Sequence, residues 1–259
     1  VIAYVGLKIK NKLFNNYFNI DFKKNKYILI NDSFYSLLTL LLLLAFFLMF
    51  GPSFDIYFSK LFQNENGGFF LQGLDFKIEV LNYNRVINPT VMFRKLFLPI
   101  VLFYIFILPL FSRKLFFQQL YFGHIFKLKE VIFLWLSSVI GLIFLINLIL
   151  KKFWGRSRPN EITDFEGINN FTPWYQITDQ CISNCSFVSG DSSVGFALIV
   201  FYFLVKKKIY IWAALIFGFF LGLIRIMEGG HFISDITLAG LIIFAFYSLC
   251  YNFYIKKFN

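Results

Sequence analysis

Charged residues are scarce in this sequence. Only 15% of its 259 residues are charged, whereas 58% are hydrophobic and 22% are aromatic. A soluble domain of this length needs a polar surface to cover its core, and the chain has too few charged residues to build one. With a mean hydropathy of +0.68, the composition excludes a soluble globular protein and predicts a single integral membrane domain.

Acidic residues are fewer than basic ones, 14 against 25, which gives a net charge of +11. Such a balance often indicates nucleic acid binding, but the basic residues cluster at the ends of apolar runs, where lipid headgroups lie. We therefore expect the lipid bilayer as a partner, and no nucleic acid. Six spans are predicted, although a re-entrant hairpin is an alternative for the short fourth and fifth runs. The runs are 34–50, 93–111, 131–150, 192–205, 209–224 and 236–255.

Lysine and arginine in short loops orient these spans. Residues 1–33 form a basic segment that we assign to the cytoplasm, ahead of one transmembrane domain at 34–259. If the six spans alternate, the outer face holds residues 51–92, 151–191 and 225–235. The first of these segments is nearly balanced in charge. Five basic residues in the second and third contradict the orientation rule and require another explanation: Lys151, Lys152, Arg156, Arg158 and Arg225.

Phosphate binding would explain basic residues at the outer membrane edge. Arginine grips phosphate oxygens with two parallel hydrogen bonds, and lysine adds a point charge. Anchoring to lipid headgroups explains Lys152 and Arg156 equally well. For Arg158 and Arg225 we favour phosphate binding, because other segments at the same edge carry suitable partners.

Two of those segments carry chemistry. Ser189 and Gly190 begin the fourth span, and helix N-terminal amides favour anions, although a serine there is more often a simple cap. His231 and Asp235 are spaced i, i+4, so they share one face of a helix. A carboxylate that accepts from one imidazole nitrogen leaves the other nitrogen free as base or nucleophile.

Taken together, these stretches resemble the type 2 phosphatidic acid phosphatase (PAP2) family of the acid phosphatase and vanadium haloperoxidase superfamily. The family pattern is K-x6-RP, then P-S-G-H, then S-R-x5-H-x3-D. The matching residues here are Lys151-x6-Arg158-Pro159, Val188-Ser189-Gly190-Asp191 and Ile224-Arg225-x5-His231-x3-Asp235. The resemblance implies an all-α, polytopic bundle of about six helices, and a metal-independent hydrolase that uses no cofactor.

The resemblance also implies roles for residues. His231 would attack phosphorus to form a phosphohistidine, and Asp235 would orient it. The phosphoryl oxygens would be held by Lys151, Arg158, Ser189, Gly190 and Arg225. The expected substrate is a membrane lipid phosphate: undecaprenyl diphosphate, lipid A, phosphatidylglycerophosphate or phosphatidic acid. The expected location is the bacterial inner membrane, crossed several times, with the site facing the periplasm. The alternatives are a lipid phosphotransferase and a non-catalytic protein that binds lipids or anions.

The second motif departs from the family, because Asp191 replaces the histidine that would protonate the leaving oxygen. An ordinary aspartate has a pKa of about 3.9 and is ionised. Burial and substrate charge raise that pKa, whereas Arg158 and Arg225 lower it, so the sequence leaves the direction open. One hypothesis is that a carboxylic acid suffices for a good leaving group, which favours lipid diphosphates or acidic pH. The other is that Asp191 only caps its helix. Glu228 has no counterpart in the motif.

Cysteine is also scarce, with three residues. Cys181 and Cys185 lie in the stretch CISNC on the predicted outer face, where an oxidising compartment would permit a disulfide. Two cysteines without further ligands rarely hold zinc, and no HExxH sequence is present. The sequence therefore predicts an intrachain Cys181–Cys185 disulfide and no metal site.

Overall fold

A computed structural model of the protein describes most of the chain after the first predicted span. The described residues are 51–65, 67–72, 76–80, 83–87 and 89–258. The predicted cytoplasmic segment 1–33 and the predicted span 34–50 lie outside the described residues.

The described part is helical apart from one antiparallel hairpin, β1 and β2, in which Phe76 pairs with Ile87. This confirms the all-α class. In chain order the elements are α1 (51–60), β1 (Phe76–Val80), β2 (Tyr83–Ile87), α2 (Pro89–Phe106), α3 (Leu115–Leu120), α4 (Leu128–Phe153), α5 (Gly190–Val205), α6 (Ile209–Met227) and α7 (Ile233–Phe258). Short 3-10 turns lie at Leu108–Phe111, Pro159–Glu161 and Thr163–Phe165, and the middle of α4, Val139–Leu150, is wound as a π-helix.

Among the described residues, three helices are long and apolar enough to cross a membrane: α4, α6 and the Ile233–Ile255 part of α7. They coincide with the predicted third, fifth and sixth spans. Only 39% of each apolar window is buried inside the protein, so most of that apolar surface faces outward, as lipid requires. Helix α5 is apolar but shorter. A total of six spans stays a prediction.

Glycines allow α5, α6 and α7 to pack closely. A Cβ atom at Gly195 would lie 2.7 Å from the backbone nitrogen of Gly218 in α6. A Cβ at Gly240 in α7 would lie 3.0 Å from the Phe196 ring. Small residues at such positions let helix backbones approach each other, which is how helices associate where water supplies no driving force.

The two ends of the bundle collect different predicted loops. At one end the hydroxyl of Tyr210 lies 3.4 Å from that of Tyr104 and donates to the carbonyl of Leu120. Leu120 lies between the predicted second and third spans, and Tyr210 lies at the start of the fifth span, just after the loop that separates it from the fourth. At the other end Asp55 accepts hydrogen bonds from Arg156 and Ser234, and these three residues come from the three predicted outer segments. The segments predicted to share a side therefore do meet, while the side that faces the cytoplasm stays a prediction.

Candidate active site

His231 lies in the turn between α6 and α7 and is 1% exposed. Gly229 in this turn has a φ of +67° and touches the Phe69 ring, so a side chain would not fit there. The Nδ1 atom of His231 lies 2.6 Å from the carbonyl oxygen of Ser186. Since a carbonyl can only accept, Nδ1 carries the hydrogen and Nε2 carries the lone pair of the neutral ring.

The protonation state of His231 follows from its surroundings. Burial and the positive charges of Arg225 and Lys151 lower the pKa of His231 to about 4, although Asp235 opposes this. The imidazole is therefore neutral at pH 7. A neutral ring with a free lone pair on Nε2 is the form that can act as a nucleophile.

Asp235 supports His231 differently from the expected direct hydrogen bond. Its Oδ2 atom lies 3.9 Å from His231 Nδ1, which is too far for a hydrogen bond. Oδ2 accepts instead from the Ser186 hydroxyl at 2.6 Å and from the backbone N–H of Phe232 at 2.9 Å. Asp235 thus acts through Ser186, whose side chain it holds and whose carbonyl holds the ring.

Arg156 binds the other carboxylate oxygen of Asp235, Oδ1. Its fully buried guanidinium donates to Asp235 at 2.6 Å and to Asp55 at 2.8 Å. It also donates to the Ser234 hydroxyl at 3.0 Å and to the Thr172 carbonyl at 2.9 Å. Buried charges persist only when paired and hydrogen-bonded. Arg156 is therefore an internal residue and not a headgroup anchor.

The three cations predicted to bind phosphate lie together. Lys151 ends the apolar part of α4, Arg158 follows it, and Arg225 lies in the last turn of α6. The charges of Arg158 and Arg225 are both close enough to interact with Lys151. Lys151 and Arg225 also act on His231. Motif one and motif three thus meet around the histidine, as the resemblance to the PAP2 family implies.

The start of α5 completes this group. Ser189 is fully buried and its Oγ accepts from the backbone N–H of Ser192, which makes it the N-cap of the helix. A Cβ at Gly190 would lie 3.5 Å from Lys151 Nζ and 3.1 Å from Asn147 Oδ1. The glycine therefore keeps the helix start open beside the Lys151 ammonium group, where an anion could reach the backbone amides.

Asp191, which replaces the motif histidine, and Glu228, which has no counterpart in the motifs, lie between two arginines. Arg94 Nη1 donates to Asp191 at 2.8 Å, and Arg225 Nε lies 3.6 Å from the same oxygen. Arg225 also pairs with Glu228, whose other oxygen lies 3.7 Å from Arg94 Nε. Sequence reasoning missed Arg94, because a single arginine near the start of a span gives no signal.

The charge on Asp191 can now be assigned. It is the second residue of α5, ahead of the apolar stretch 192–205. Burial would raise the pKa of Asp191, but the charges of Arg225 and Arg94 outweigh it and hold that pKa below its usual range. Asp191 is therefore a carboxylate at neutral pH, and in this state it has no proton to donate.

The predicted disulfide between Cys181 and Cys185 is present. Its loop presents Asn184 to the cations: Lys151 Nζ lies 3.2 Å from the side-chain oxygen of Asn184, and Arg158 binds the main-chain carbonyl. In the part of the chain that the structure describes, no group of three or more His, Cys, Asp or Glu side chains could hold a metal ion.

One family model and several known proteins are similar to the chain. Residues 132–259 match the model of the PAP2 superfamily. A lipid A 4'-phosphatase of Francisella tularensis subsp. novicida (strain U112) is 35% identical over 206 residues, which is 77% of this chain and 85% of that protein. Lipid A 4'-phosphatases of Rhizobium leguminosarum and Rhizobium etli are each 34% identical over 115 residues, 42% of this chain and 49% and 45% of theirs. No solved structure matches the chain.

Proposed function

Because the chain belongs to the PAP2 superfamily, we propose that this bacterial membrane lipid phosphatase removes the 4'-phosphate of lipid A. The observation that carries the mechanism is a neutral His231, with its lone pair on Nε2, beside Lys151 and Arg225. The substrate is proposed from the names of relatives that are 34–35% identical to the chain.

The reaction proceeds in two steps on His231. Its Nε2 attacks phosphorus and the bond to the sugar oxygen breaks, which leaves a phosphohistidine. Water then attacks that phosphorus, inorganic phosphate leaves, and the neutral ring is restored. Lys151, Arg158 and Arg225 hold the phosphoryl oxygens and offset their charge in both transition states, which is the main demand of phosphoryl transfer.

The sugar oxygen leaves as an alkoxide and needs a proton. An ionised Asp191 cannot supply it, so we propose that a solvent water does, while Asp191 holds Arg94 and Arg225 in place. A lipid diphosphate, whose leaving phosphate needs little protonation, remains the alternative substrate that an ionised Asp191 would suit, and the names of the relatives favour lipid A over it.

The test is phosphate release by the purified protein in detergent. We expect release from lipid A at the 4' position, identified by mass spectrometry of the product, and slower release from undecaprenyl diphosphate, phosphatidylglycerophosphate and phosphatidic acid. Quenching a reaction with labelled substrate in alkaline denaturant should trap the label on His231, because a phosphohistidine survives in alkali and is hydrolysed in acid. The variant His231→Ala should be inactive, whereas His124→Ala, which changes a histidine bound to Glu130 away from the site, should retain activity.

Three results would contradict this function. Faster turnover of phosphatidic acid would assign another substrate, and activity in His231→Ala would remove the phosphohistidine. Label that reaches the hydroxyl of a second lipid would identify a phosphotransferase instead of a hydrolase.

We also propose that the site faces the periplasm across the inner membrane. The segments that form it are those predicted as outer, and the Cys181–Cys185 disulfide suits an oxidising compartment. In spheroplasts of a Cys250→Ser background, an impermeant maleimide should label Asp164→Cys from outside and Lys208→Cys only after lysis. The reverse pattern would invert the orientation.

A further inference from the structure

Two of the proposed phosphate-binding cations share one partner that lies outside all three motifs. Lys151 Nζ donates to the side-chain oxygen of Asn184 at 3.2 Å. The Nε and Nη2 atoms of Arg158 donate to the main-chain oxygen of the same residue at 3.1 and 2.5 Å. Asn184 therefore fixes the separation of an ammonium and a guanidinium group that stand seven positions apart in the chain.

Asn184 is itself held in place by the loop 181–186. The Cys181–Cys185 disulfide closes this loop around it. On one side the backbone N–H of Cys181 donates to the Gly155 carbonyl at 3.0 Å, and on the other that of Ser186 donates to the Arg156 carbonyl at 2.9 Å. The loop is thus attached to the segment that joins Lys151 to Arg158.

The backbone of Asn184 has a φ of +52°, a left-handed conformation that asparagine tolerates better than most residues other than glycine. Asparagine can therefore occupy this turn and also supply a side-chain oxygen that accepts a hydrogen bond. Two residues later, the Ser186 carbonyl accepts from His231. One short loop therefore relates the cations to the nucleophile.

We propose that Asn184 is a positioning residue for substrate phosphate, and that the disulfide acts by holding it. The proposal rests on the proposed function, in which Lys151 and Arg158 bind the phosphate. Lysine and arginine side chains lose rotamer freedom when they close on a ligand. Because Asn184 already holds Lys151 and Arg158, much of this freedom is lost before the substrate arrives. The phosphate is therefore bound more tightly, while the rate of the chemical step is unchanged.

The two cations depend on Asn184 in different ways, and this provides the test. Only Lys151 uses the side chain, whereas Arg158 uses a main-chain carbonyl that any residue would keep. Asn184→Gly retains the left-handed backbone and removes only the Lys151 bond. We expect it to raise the KM for lipid A and the inhibition constant for inorganic phosphate by about 2–10-fold, the effect of one hydrogen bond, with kcat within about twofold.

The double variant Cys181→Ser/Cys185→Ser releases both cations and should raise both constants further. Dithiothreitol should move the wild type to the same values and leave the double variant unchanged. Ile182→Ala changes a side chain of the same loop that is 91% exposed and should behave as wild type. Unchanged constants in Asn184→Gly, or a loss in kcat alone, would overturn the proposal.

Binding of inorganic phosphate, measured by calorimetry on wild type and Asn184→Gly, separates this proposal from the proposed function. It requires neither turnover nor lipid A. Weaker phosphate binding in the variant supports the positioning role even if another lipid is the substrate. Equal phosphate binding by the wild type and the variant would refute the positioning role of Asn184 even if lipid A is hydrolysed. If the double cysteine variant does not fold, Asn184→Gly decides alone.

Discussion

Replacing Arg156 by methionine should destabilise the whole outer end of the bundle. The substitution removes four hydrogen bonds, to Asp55, Asp235, Ser234 and the Thr172 carbonyl. It leaves two carboxylates that are fully buried without their counter-ion. Removal of one member of a buried ion pair costs roughly 3–5 kcal/mol. For a chain of this size, 1 kcal/mol corresponds to about 2–4 °C in Tm, so we expect a loss of roughly 6–20 °C.

The assay is thermal unfolding of wild type and variants in one detergent. Arg156→Lys should lie in between, because it keeps the charge but cannot bind both carboxylates with a planar fork. Asp55→Asn should destabilise the wild type, yet restore part of the Tm of Arg156→Met by removing one unpaired carboxylate, since residues in contact are not additive. A Tm of Arg156→Met within about 2 °C of wild type would refute the reasoning, as would full additivity with Asp55→Asn.

Three further predictions concern other parts of the molecule. The pKa of His231 in the folded protein, about 4, lies below its ordinary 6.5, so the stability that the neutral ring contributes is complete above pH 6.5 and is lost as the pH falls towards 4. Between pH 7 and 4.5 the free energy of unfolding should therefore fall by about 2–3 kcal/mol more in the wild type than in His231→Gln. Parallel curves of unfolding free energy against pH would disprove this. Gly195→Val should lower the free energy of unfolding by about 1–3 kcal/mol, because the added side chain overpacks against α6. In the same assay Gly68→Ala should leave it unchanged, because a Cβ there would meet only the end of a glutamine side chain at 3.9 Å. Asp191→Asn should mainly raise KM; a fall in kcat of about 10²–10⁴-fold, the contribution of a general acid, would instead assign it the proton.

The apolar spans and the grouping of motif residues could be predicted because each depends on short stretches of sequence. Runs of about 20 residues predict α4 and α7 directly, and the shorter run 209–224 predicts α6. The resemblance of motifs one and three to the PAP2 family predicts that Lys151 and Arg225 lie near His231. The hairpin Phe76–Val80 and Tyr83–Ile87 was not expected, since nothing in the composition of that region separates it from the other outer loops.

The remaining site contacts could not be predicted because they join residues that are far apart in the chain. The Asp191–Arg94 contact spans 97 positions and the Asp55–Ser234 contact spans 179. Spacing alone suggested a direct bond between His231 and Asp235. It could not show that Ser186 connects the two residues indirectly, or that Arg156 lies buried against the same carboxylate.

The contact between Asp55 and Ser234 also has a consequence for the order of biogenesis. Ser234 follows Asp55 by 179 positions, and at roughly 5–20 residues per second about 10–40 s of translation separate them. During that interval Asp55 must remain hydrated, since burial without Arg156 and Ser234 is too costly. The outer end of the bundle can therefore close only after the last helix begins to insert. Because His231 immediately precedes that helix, a nascent or truncated chain has no assembled nucleophile and could not hydrolyse membrane lipids prematurely.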